Sequence, residues 1–198
     1  MSRCSESFGS HSATETRCCM LCALFCLIFE REVSMSLNSV QKANASIISS
    51  CIVGLVLSYY AYIVETSKEL DHSYEAMCDI SEHISCTKAF MSEYGKGFGL
   101  IPKTSIFYMP NSVYGLVFYS CMAVMSVSNT YFATIVLIIF GILSNLGSIY
   151  LGYILYMLKD ICVLCIGTYL VNCVNLILAI RKFGIISRLG ASKKEKLK

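Results

Sequence analysis

Four apolar stretches dominate the pattern of hydrophobic and polar positions along the chain. They cover residues 45–64, 112–127, 131–158 and 161–180. A helix needs about 20 apolar residues to cross a hydrocarbon core of roughly 30 Å, so three stretches are long enough and the second is short. Only a tight, uncharged link around Asn129 separates the second from the third, which predicts a helical hairpin. The pattern therefore predicts an all-α integral membrane protein, built as a four-helix bundle.

The composition of the chain supports this prediction. Hydrophobic residues make up 56% of the 198 residues, charged residues 15%, and there are only 2 Pro. The mean hydropathy is +0.63. Neither soluble globular domains nor disordered segments have this composition. The net charge of +3 is too small to indicate a nucleic-acid partner.

The distribution of charge predicts the orientation in the membrane. The tail after Ile180 carries seven Lys and Arg against one Glu, whereas the loop at 65–110 carries seven acidic residues against four Lys. Because positive residues accumulate on the cytoplasmic side, both termini are predicted to be cytosolic and the loop to face the opposite compartment. The lysines near the end resemble a retrieval signal for the endoplasmic reticulum, although a plain solvated basic tail explains them equally well.

Two cysteine pairs are the strongest candidates for chemistry. Cys162 and Cys165 form a CxxC at the start of the fourth stretch, where they share a helical face and where the helix dipole favours a thiolate. The predicted topology puts them at the same surface as Cys78 and Cys86 of the loop. In a non-cytosolic compartment disulfides form and persist. A CxxC at a membrane surface suggests electron transfer to a lipid-soluble oxidant.

Three sequence blocks resemble the animal vitamin K epoxide reductases. The segments CDISEHISCTKAF at 78–90 and GKGFGL at 95–100 are similar to the luminal loop of that family. NSVYG at 111–115 is similar to the entry to its second helix, and CVLCIGTY at 162–169 to its catalytic CxxC with a following Thr-Tyr. The order and spacing of the blocks agree over about 45–182.

This resemblance implies a fold and a reaction. The long luminal loop would cap a quinone pocket within the bundle, and a dithiol would reduce vitamin K 2,3-epoxide to the quinone and the quinone to the hydroquinone. Cys165 would attack the naphthoquinone ring and Cys162 would resolve the adduct. Cys86 would then attack Cys162 and pass the oxidation to Cys78 by thiol–disulfide exchange. Vitamin K is the substrate, and the reaction needs no metal, nucleotide or permanently bound cofactor.

The resemblance also implies substrate contacts and partners. Asn111 and Tyr169 would hydrogen-bond the quinone oxygens, and Phe90 and Tyr114 would form pocket walls. Without the resemblance, a helix N-cap and an interfacial anchor would explain the first two. The implied partners are membrane lipid, a thioredoxin-like luminal reductant of the loop pair and a hydroxycoumarin inhibitor, as in warfarin-sensitive enzymes. The implied location is the endoplasmic reticulum membrane, with the active site facing the lumen.

Three segments are predicted along the chain: a non-matching extension at 1–42, disordered or cytosolic, a four-span domain at 43–182, and a basic cytosolic tail at 183–198. The cysteine-rich run in the extension has three interpretations: a signal-peptide core, a palmitoylated surface helix, or translated upstream sequence with Met35 as the working start, which we favour. Tyr94 stands where the family usually carries Trp, so we expect weaker membrane anchoring of the loop.

Two other functions remain open at this stage. A quinone-linked oxidoreductase could run the same relay in the opposite direction and generate disulfides in secretory proteins. A non-catalytic membrane protein could use Cys78 and Cys86 as a structural disulfide and bury Cys162 and Cys165 as packing residues. The first alternative uses the same cysteines as epoxide reduction, so only the substrate consumed separates the two.

Overall fold

The computed structural model describes residues 13–79 and 84–195, with side chains described for 38–79 and 84–192. Within these residues the chain is helical, and its only β-type pairings are two isolated bridges. The helices are α1 Ala13–Leu70, α2 Cys86–Met91, α3 Asn111–Val127, α4 Tyr131–Leu158 and α5 Val163–Glu195, with a 3-10 turn at Gly97–Gly99. The chain divides into two units between Ser39 and Val40. All contacts described below lie within the second unit.

Among the described residues, three helical segments are long and apolar enough to cross a membrane. They are Asn38–Leu70, Tyr131–Leu158 and Val163–Ser192, with mean hydropathies of 2.0 to 2.2. The fourth, α3, is a shorter apolar helix of 17 residues, about 25 Å long at 1.5 Å per residue. Large apolar side chains such as Val124, Phe132 and Ile149 remain exposed on the outside of the helices, as expected for contact with lipid. The prediction of an all-α, multi-pass membrane bundle is confirmed.

The helix ends differ from the predicted spans. The last apolar stretch was predicted to cover 161–180, but α5 begins at Val163 and continues to Glu195. Hydropathy marks where a helix leaves the hydrocarbon, and the residues beyond 180 include Lys, Arg and Leu, which are strong helix formers. No proline follows Pro110 to stop the helix. Much of the predicted basic tail is therefore a continuation of α5.

The link between α3 and α4 is the predicted tight hairpin. Thr130 caps α4 by accepting a hydrogen bond from the backbone N–H of Ala133 at 3.2 Å. Lys182 of α5 is fully buried and donates to the carbonyls of Ser126 and Ser128 at 2.6 and 2.9 Å. An ammonium group at the C-terminal end of α3 satisfies its last carbonyls and complements the helix dipole. Lys182, counted among the positive residues after Ile180, is thus part of the packed bundle.

The apolar core draws on all four long helices. Its buried members come from α1, α3, α4 and α5: Ile47, Cys51, Tyr119, Met122, Leu137 and Ala179. The loop between α1 and α3 folds back on itself through an antiparallel bridge between Lys96 and Pro110. Directly after this bridge Phe98 adopts a left-handed conformation with φ of 56°. Its neighbours Gly97 and Gly99 also have positive φ, which glycine tolerates without steric cost.

Candidate active site

A cavity of about 390 Å³ lies within the bundle and beneath the loop. This volume falls within the range of small-molecule sites. Most of its wall is apolar, and α1, α3, α4, α5 and the loop all contribute residues. Five of the residues predicted from the sequence line it: Phe90, Asn111, Tyr114, Cys165 and Tyr169.

The two cysteines of the CxxC occupy different environments. Cys165 lies in the first turn of α5 and lines the cavity, whereas Cys162 directly precedes the helix and is fully buried. Both are thiols, and the backbone N–H of Cys165 donates to the sulfur of Cys162 at 3.3 Å. A hydrogen bond from the Cys165 thiol and the N–H groups of Cys165 and Leu164 lower the pKa of Cys162, although burial opposes this shift. Cys162 is thus the buried member of the pair, and these hydrogen bonds stabilise its thiolate form.

The loop pair lies directly against the CxxC. Cys78 and Cys86 form a disulfide with a Cα–Cα distance of 5.8 Å. The loop is fixed at this point by a parallel bridge between Ile84 and Ile161, and the N–H of Ser85 donates to the Ile161 carbonyl at 3.1 Å. One buried cluster contains Cys86 and Cys162, with Cys78 and Cys165 packed at its edge. All four predicted cysteines therefore meet at one end of the bundle, with the loop pair oxidised and the CxxC reduced.

The sequence interpretation missed the carboxylate that holds the loop pair in place. Asp79 accepts hydrogen bonds from the Ser85 hydroxyl at 2.7 Å, the Thr87 N–H at 3.1 Å and the Ala76 N–H at 2.9 Å. The Thr87 hydroxyl donates to it as well. Burial alone would raise the pKa of Asp79, but these hydrogen bonds outweigh it and lower the pKa to about 2. An Asp directly after Cys78 was the available signal.

Asn111 connects the loop to the edge of the cavity. Its side-chain oxygen accepts from the N–H of Phe98 at 2.9 Å, and its amide nitrogen donates to the carbonyl of Tyr94 at 2.7 Å. The N-cap of α3 is Pro110, so the alternative role of Asn111 as a helix cap is wrong. The amide nitrogen carries a second N–H, which is the group available for a ligand in the cavity.

Tyr169 contributes a hydroxyl to the same cavity. Its ring lies one helical turn after Cys165, so both side chains share a face of α5. The hydroxyl is buried and has no hydrogen-bond partner among the described residues. Because buried polar groups are nearly always paired, this unpaired donor is the polar atom that most clearly awaits a ligand.

Aromatic rings from the loop and α3 cover the cavity. The rings of Phe98 and Tyr114 lie 5.3 Å apart, and the Tyr114 hydroxyl donates to the carbonyl of Phe107. The Tyr150 hydroxyl of α4 donates to the carbonyl of Phe98 at 3.3 Å. Phe90 of α2 lines the cavity and packs against the cysteine cluster. The loop thus covers part of the cavity through contacts with α3 and α4.

A second feature that sequence reasoning missed is a polar network in the cavity wall. Tyr119 donates to the side-chain oxygen of Asn172 at 2.9 Å, and the Asn172 amide donates to the Ser148 hydroxyl at 2.9 Å. Asn145 donates to the Asn172 carbonyl at 3.0 Å. Polar residues inside otherwise apolar helices often join neighbouring helices by hydrogen bonds, and their presence in the apolar stretches was the signal.

Comparison with known proteins gives the chain a family. The model of the vitamin K epoxide reductase family matches residues 45–180. The chain is 36% identical over 137 residues to vitamin K epoxide reductase complex subunit 1 of Mus musculus and to that of Rattus norvegicus. Each alignment covers 67% of this chain and 85% of the relative. The resemblance seen in the three sequence blocks is therefore confirmed, and the chain belongs to the vitamin K epoxide reductase family of membrane oxidoreductases.

Proposed function

We propose that this protein reduces vitamin K 2,3-epoxide to the quinone, and the quinone to the hydroquinone, with Cys162 and Cys165 as the electron-donating dithiol. One observation carries the proposal. Cys165 opens into a largely apolar cavity, while Cys162 is buried against the loop disulfide. One thiol of the pair thus faces a lipid-like substrate and the other faces the source of electrons.

The reaction balances on these cysteines alone. The Cys165 thiolate forms a C–S bond to the ring carbon, and the Cys162 thiolate then attacks Cys165 and releases the reduced ring. Two thiols lose two electrons and two protons, and the epoxide oxygen leaves as water. To restore the dithiol, a reductant must first open the Cys78–Cys86 disulfide seen here. Cys86 can then attack Cys162 through a mixed disulfide.

The other predicted site residues take supporting roles in this proposal. Tyr169 and Asn111 donate hydrogen bonds to the two quinone oxygens, where negative charge develops as the ring is reduced. The unpaired Tyr169 hydroxyl and the second N–H of Asn111 support this role. Phe90 and Tyr114 supply apolar walls for the ring system.

The cellular setting completes the proposal. The excess of Lys and Arg after Ile180 supports a cytosolic C-terminus. We infer that the cysteine cluster lies at the luminal side of the endoplasmic reticulum membrane. There a thioredoxin-like protein reduces the loop pair, and the capped aromatic cavity is the site for a hydroxycoumarin inhibitor. We keep the segments as predicted, with an extension at 1–42, the four-span domain at 43–182 and a basic tail at 183–198.

Turnover of vitamin K epoxide by the full chain in microsomes with dithiothreitol tests the function. Wild type should consume epoxide, and Cys162→Ala and Cys165→Ala should each abolish consumption. Cys173→Ala is the matched control, because this exposed cysteine of α5 lies outside the cavity wall. Turnover that survives in Cys165→Ala would contradict the proposal. Quinone consumption with disulfide formation in a client protein, but no epoxide turnover, would support the reverse, disulfide-generating reaction.

A further inference from the structure

A buried carboxyl group at the loop end of α1 has no role in the reaction described so far. Glu65 lies in a helix that is apolar enough to span a membrane, and its side chain is only 1% exposed. One of its oxygens accepts a hydrogen bond from the Ser112 hydroxyl at 3.3 Å. The other has no partner among the described residues. An acid buried in this way is costly and is retained in membrane helices mainly for function.

The partner of Glu65 leads directly to the cavity. Ser112 is the second residue of α3, is 8% exposed and lines the cavity next to Asn111. Glu65 itself is not part of the cavity wall. A single hydroxyl group therefore connects the buried acid to the space that the substrate would fill.

On its other side Glu65 approaches the protein surface. Glu69 follows one turn later on the same face of α1 and forms an ion pair with Lys96 of the loop. The two side chains of this pair are 38% and 30% exposed. Lys96 and Glu69 are also the charged groups that act on Glu65. Glu65 thus stands between a solvent-exposed ion pair and the cavity.

We propose that Glu65 and Ser112 form a proton relay that delivers protons from the loop surface to the substrate oxygen in the cavity. The inference rests on the proposed function. When the Cys165 sulfur bonds to the epoxide carbon, the C–O bond breaks and its electron pair goes to oxygen. The Ser112 hydroxyl turns its proton from Glu65 to this oxygen and donates it, and Ser112 then takes the proton of the Glu65 carboxylic acid.

The relay returns to its starting state within one turnover. The Glu65 carboxylate regains a proton from solvent past Glu69 and Lys96, which offsets the proton that the Cys165 thiol released on becoming a thiolate. In the second step Cys162 attacks the Cys165 sulfur, the C–S bond breaks, and the hydroxyl leaves as water after a second proton transfer along the same path. The dithiol supplies both electrons, so no further reductant is needed.

A purely structural role for Glu65 makes a different prediction. Its carboxylate lies by the first turn of α3, where negative charge stabilises the positive end of the helix dipole. In that case a neutral substitution would lower the stability of the protein and leave the chemical step unchanged. The relay instead requires a group that can both donate and accept a proton.

Steady-state kinetics of the full chain in microsomes with dithiothreitol separates the two roles. We expect Glu65→Gln and Ser112→Ala to lower kcat for epoxide by about 100-fold, as for loss of a general acid, with KM nearly unchanged. Glu65→Asp should retain much of the activity, because it keeps a titratable group. The pH dependence of kcat should lose one limb in Glu65→Gln. Glu75→Gln, an exposed loop acid, is the matched control and should behave as wild type.

Two results would overturn the relay. One is a folded Glu65→Gln protein with the kcat and pH profile of wild type. The other is a loss confined to KM, which would make Glu65 a binding residue. If Glu65→Gln fails to fold, Ser112→Ala decides by the same criteria. A wild-type protein that consumes no epoxide would contradict the proposed function itself, whereas wild-type turnover with an unaffected Glu65→Gln would refute the relay alone.

Discussion

At the scale of single residues, the cavity offers two kinds of hydrogen-bond donor. The oxygen and the nitrogen of the Asn111 amide each form a hydrogen bond with the loop backbone. The Tyr169 hydroxyl has no hydrogen-bond partner among the described residues. The first group therefore shapes the site and has one N–H left for a ligand. The second can turn entirely toward a bound oxygen, because moving it breaks no hydrogen bond with a described residue.

Replacing Tyr169 by Phe should lower activity without lowering stability. The substitution removes a hydroxyl that bonds to none of the described residues, so the melting temperature should stay the same. The value of kcat/KM for epoxide should fall about 10-fold, the equivalent of one hydrogen bond. Tyr60→Phe is the matched control, because its hydroxyl is also buried and unpaired but lies outside the cavity wall. Equal kinetics for Tyr169→Phe and wild type would exclude a substrate contact.

Asp79 should make the loop disulfide sensitive to acid. Its pKa of about 2 is depressed in the folded protein, so its hydrogen bonds stabilise the loop above the ordinary pKa near 4 and are lost as pH falls from about 4 toward 2. We expect a water-soluble phosphine to reduce Cys78–Cys86 faster in Asp79→Asn than in wild type at pH 5. The ratio of the two rates should approach one at pH 2.

The control for this experiment is Asp71→Asn. The pKa of Asp71 is also lowered, through its hydrogen bonds with Ser73, but this exposed residue makes no described contact with the disulfide. The loop disulfide of Asp71→Asn should be reduced at the wild-type rate at every pH between 5 and 2. A constant rate ratio for Asp79→Asn between pH 5 and 2 would show that the carboxylate does not hold the loop.

The sequence predicted residues with distinctive chemistry and missed those that act through geometry. Cys162 and Cys165 stand out by spacing and position alone. Asp79 and Glu65 look like ordinary loop acids in the sequence, because their importance depends on which hydroxyl groups the fold brings to them. The N-cap alternative for Asn111 failed for the same reason, since its partners lie 13 and 17 residues away.

At the scale of helices, close approach of α1 and α3 positions the cavity wall. Gly54 of α1 faces the ring of Tyr119, and a Cβ added there would lie 2.6 Å from ring atoms. The Tyr119 hydroxyl in turn bonds Asn172 of α5. Because Gly54 has no side chain, the Tyr119 ring of α3 can pack against α1 while its hydroxyl bonds α5.

Gly54→Ala should therefore destabilise the bundle. Overpacking of a tight contact lowers the stability of the folded protein by about 1–3 kcal/mol. The higher helix propensity of Ala raises it by about 1 kcal/mol. Gly184→Ala in α5 is the matched control, because a Cβ there meets nothing within 4 Å and only the propensity gain applies. Thermal unfolding in detergent should show a lower melting temperature for Gly54→Ala and an unchanged or higher one for Gly184→Ala. The reverse order would contradict the packing described here.

Helix positions followed from the sequence, but helix ends did not. Apolar stretches fix which residues enter the membrane, and all four predicted stretches lie largely within helices. Hydropathy carries no information on where a helix continues into water, so the extension of α5 to Glu195 escaped prediction. The start of α5 at Val163 matters more for function, because it leaves Cys162 at the helix N-terminus.

At the scale of the whole molecule, the two thiols of the CxxC face different parts of the structure. The cavity contacts Cys165, and the loop disulfide contacts the buried side of the cysteine cluster. The sequence pattern predicted both cysteine pairs, and charge asymmetry predicted their common face. Neither could predict that one thiol faces the cavity and the other the loop, since this depends on packing against α2 and the bridge at Ile161.

This separation predicts different effects of Cys86→Ser with two reductants. Turnover with dithiothreitol should persist, because a small dithiol can reach Cys165 through the cavity. Turnover driven by a thioredoxin-like protein should be lost, because such a protein depends on the loop pair to reach buried Cys162. Cys121→Ser, at an exposed position of α3, is the control for both assays. Equal activity of Cys86→Ser with the protein reductant would remove the loop pair from the relay.

A single turnover of the full chain tests whether the CxxC donates the electrons. It starts from the redox state seen here, with the loop disulfide closed and the CxxC reduced. One equivalent of vitamin K epoxide is added without reductant, and mass spectrometry follows the cysteines while chromatography follows the vitamin. We expect one Cys162–Cys165 disulfide for each vitamin K quinone formed. Quinone formed while Cys162 and Cys165 stay reduced would rule out the CxxC as the electron donor.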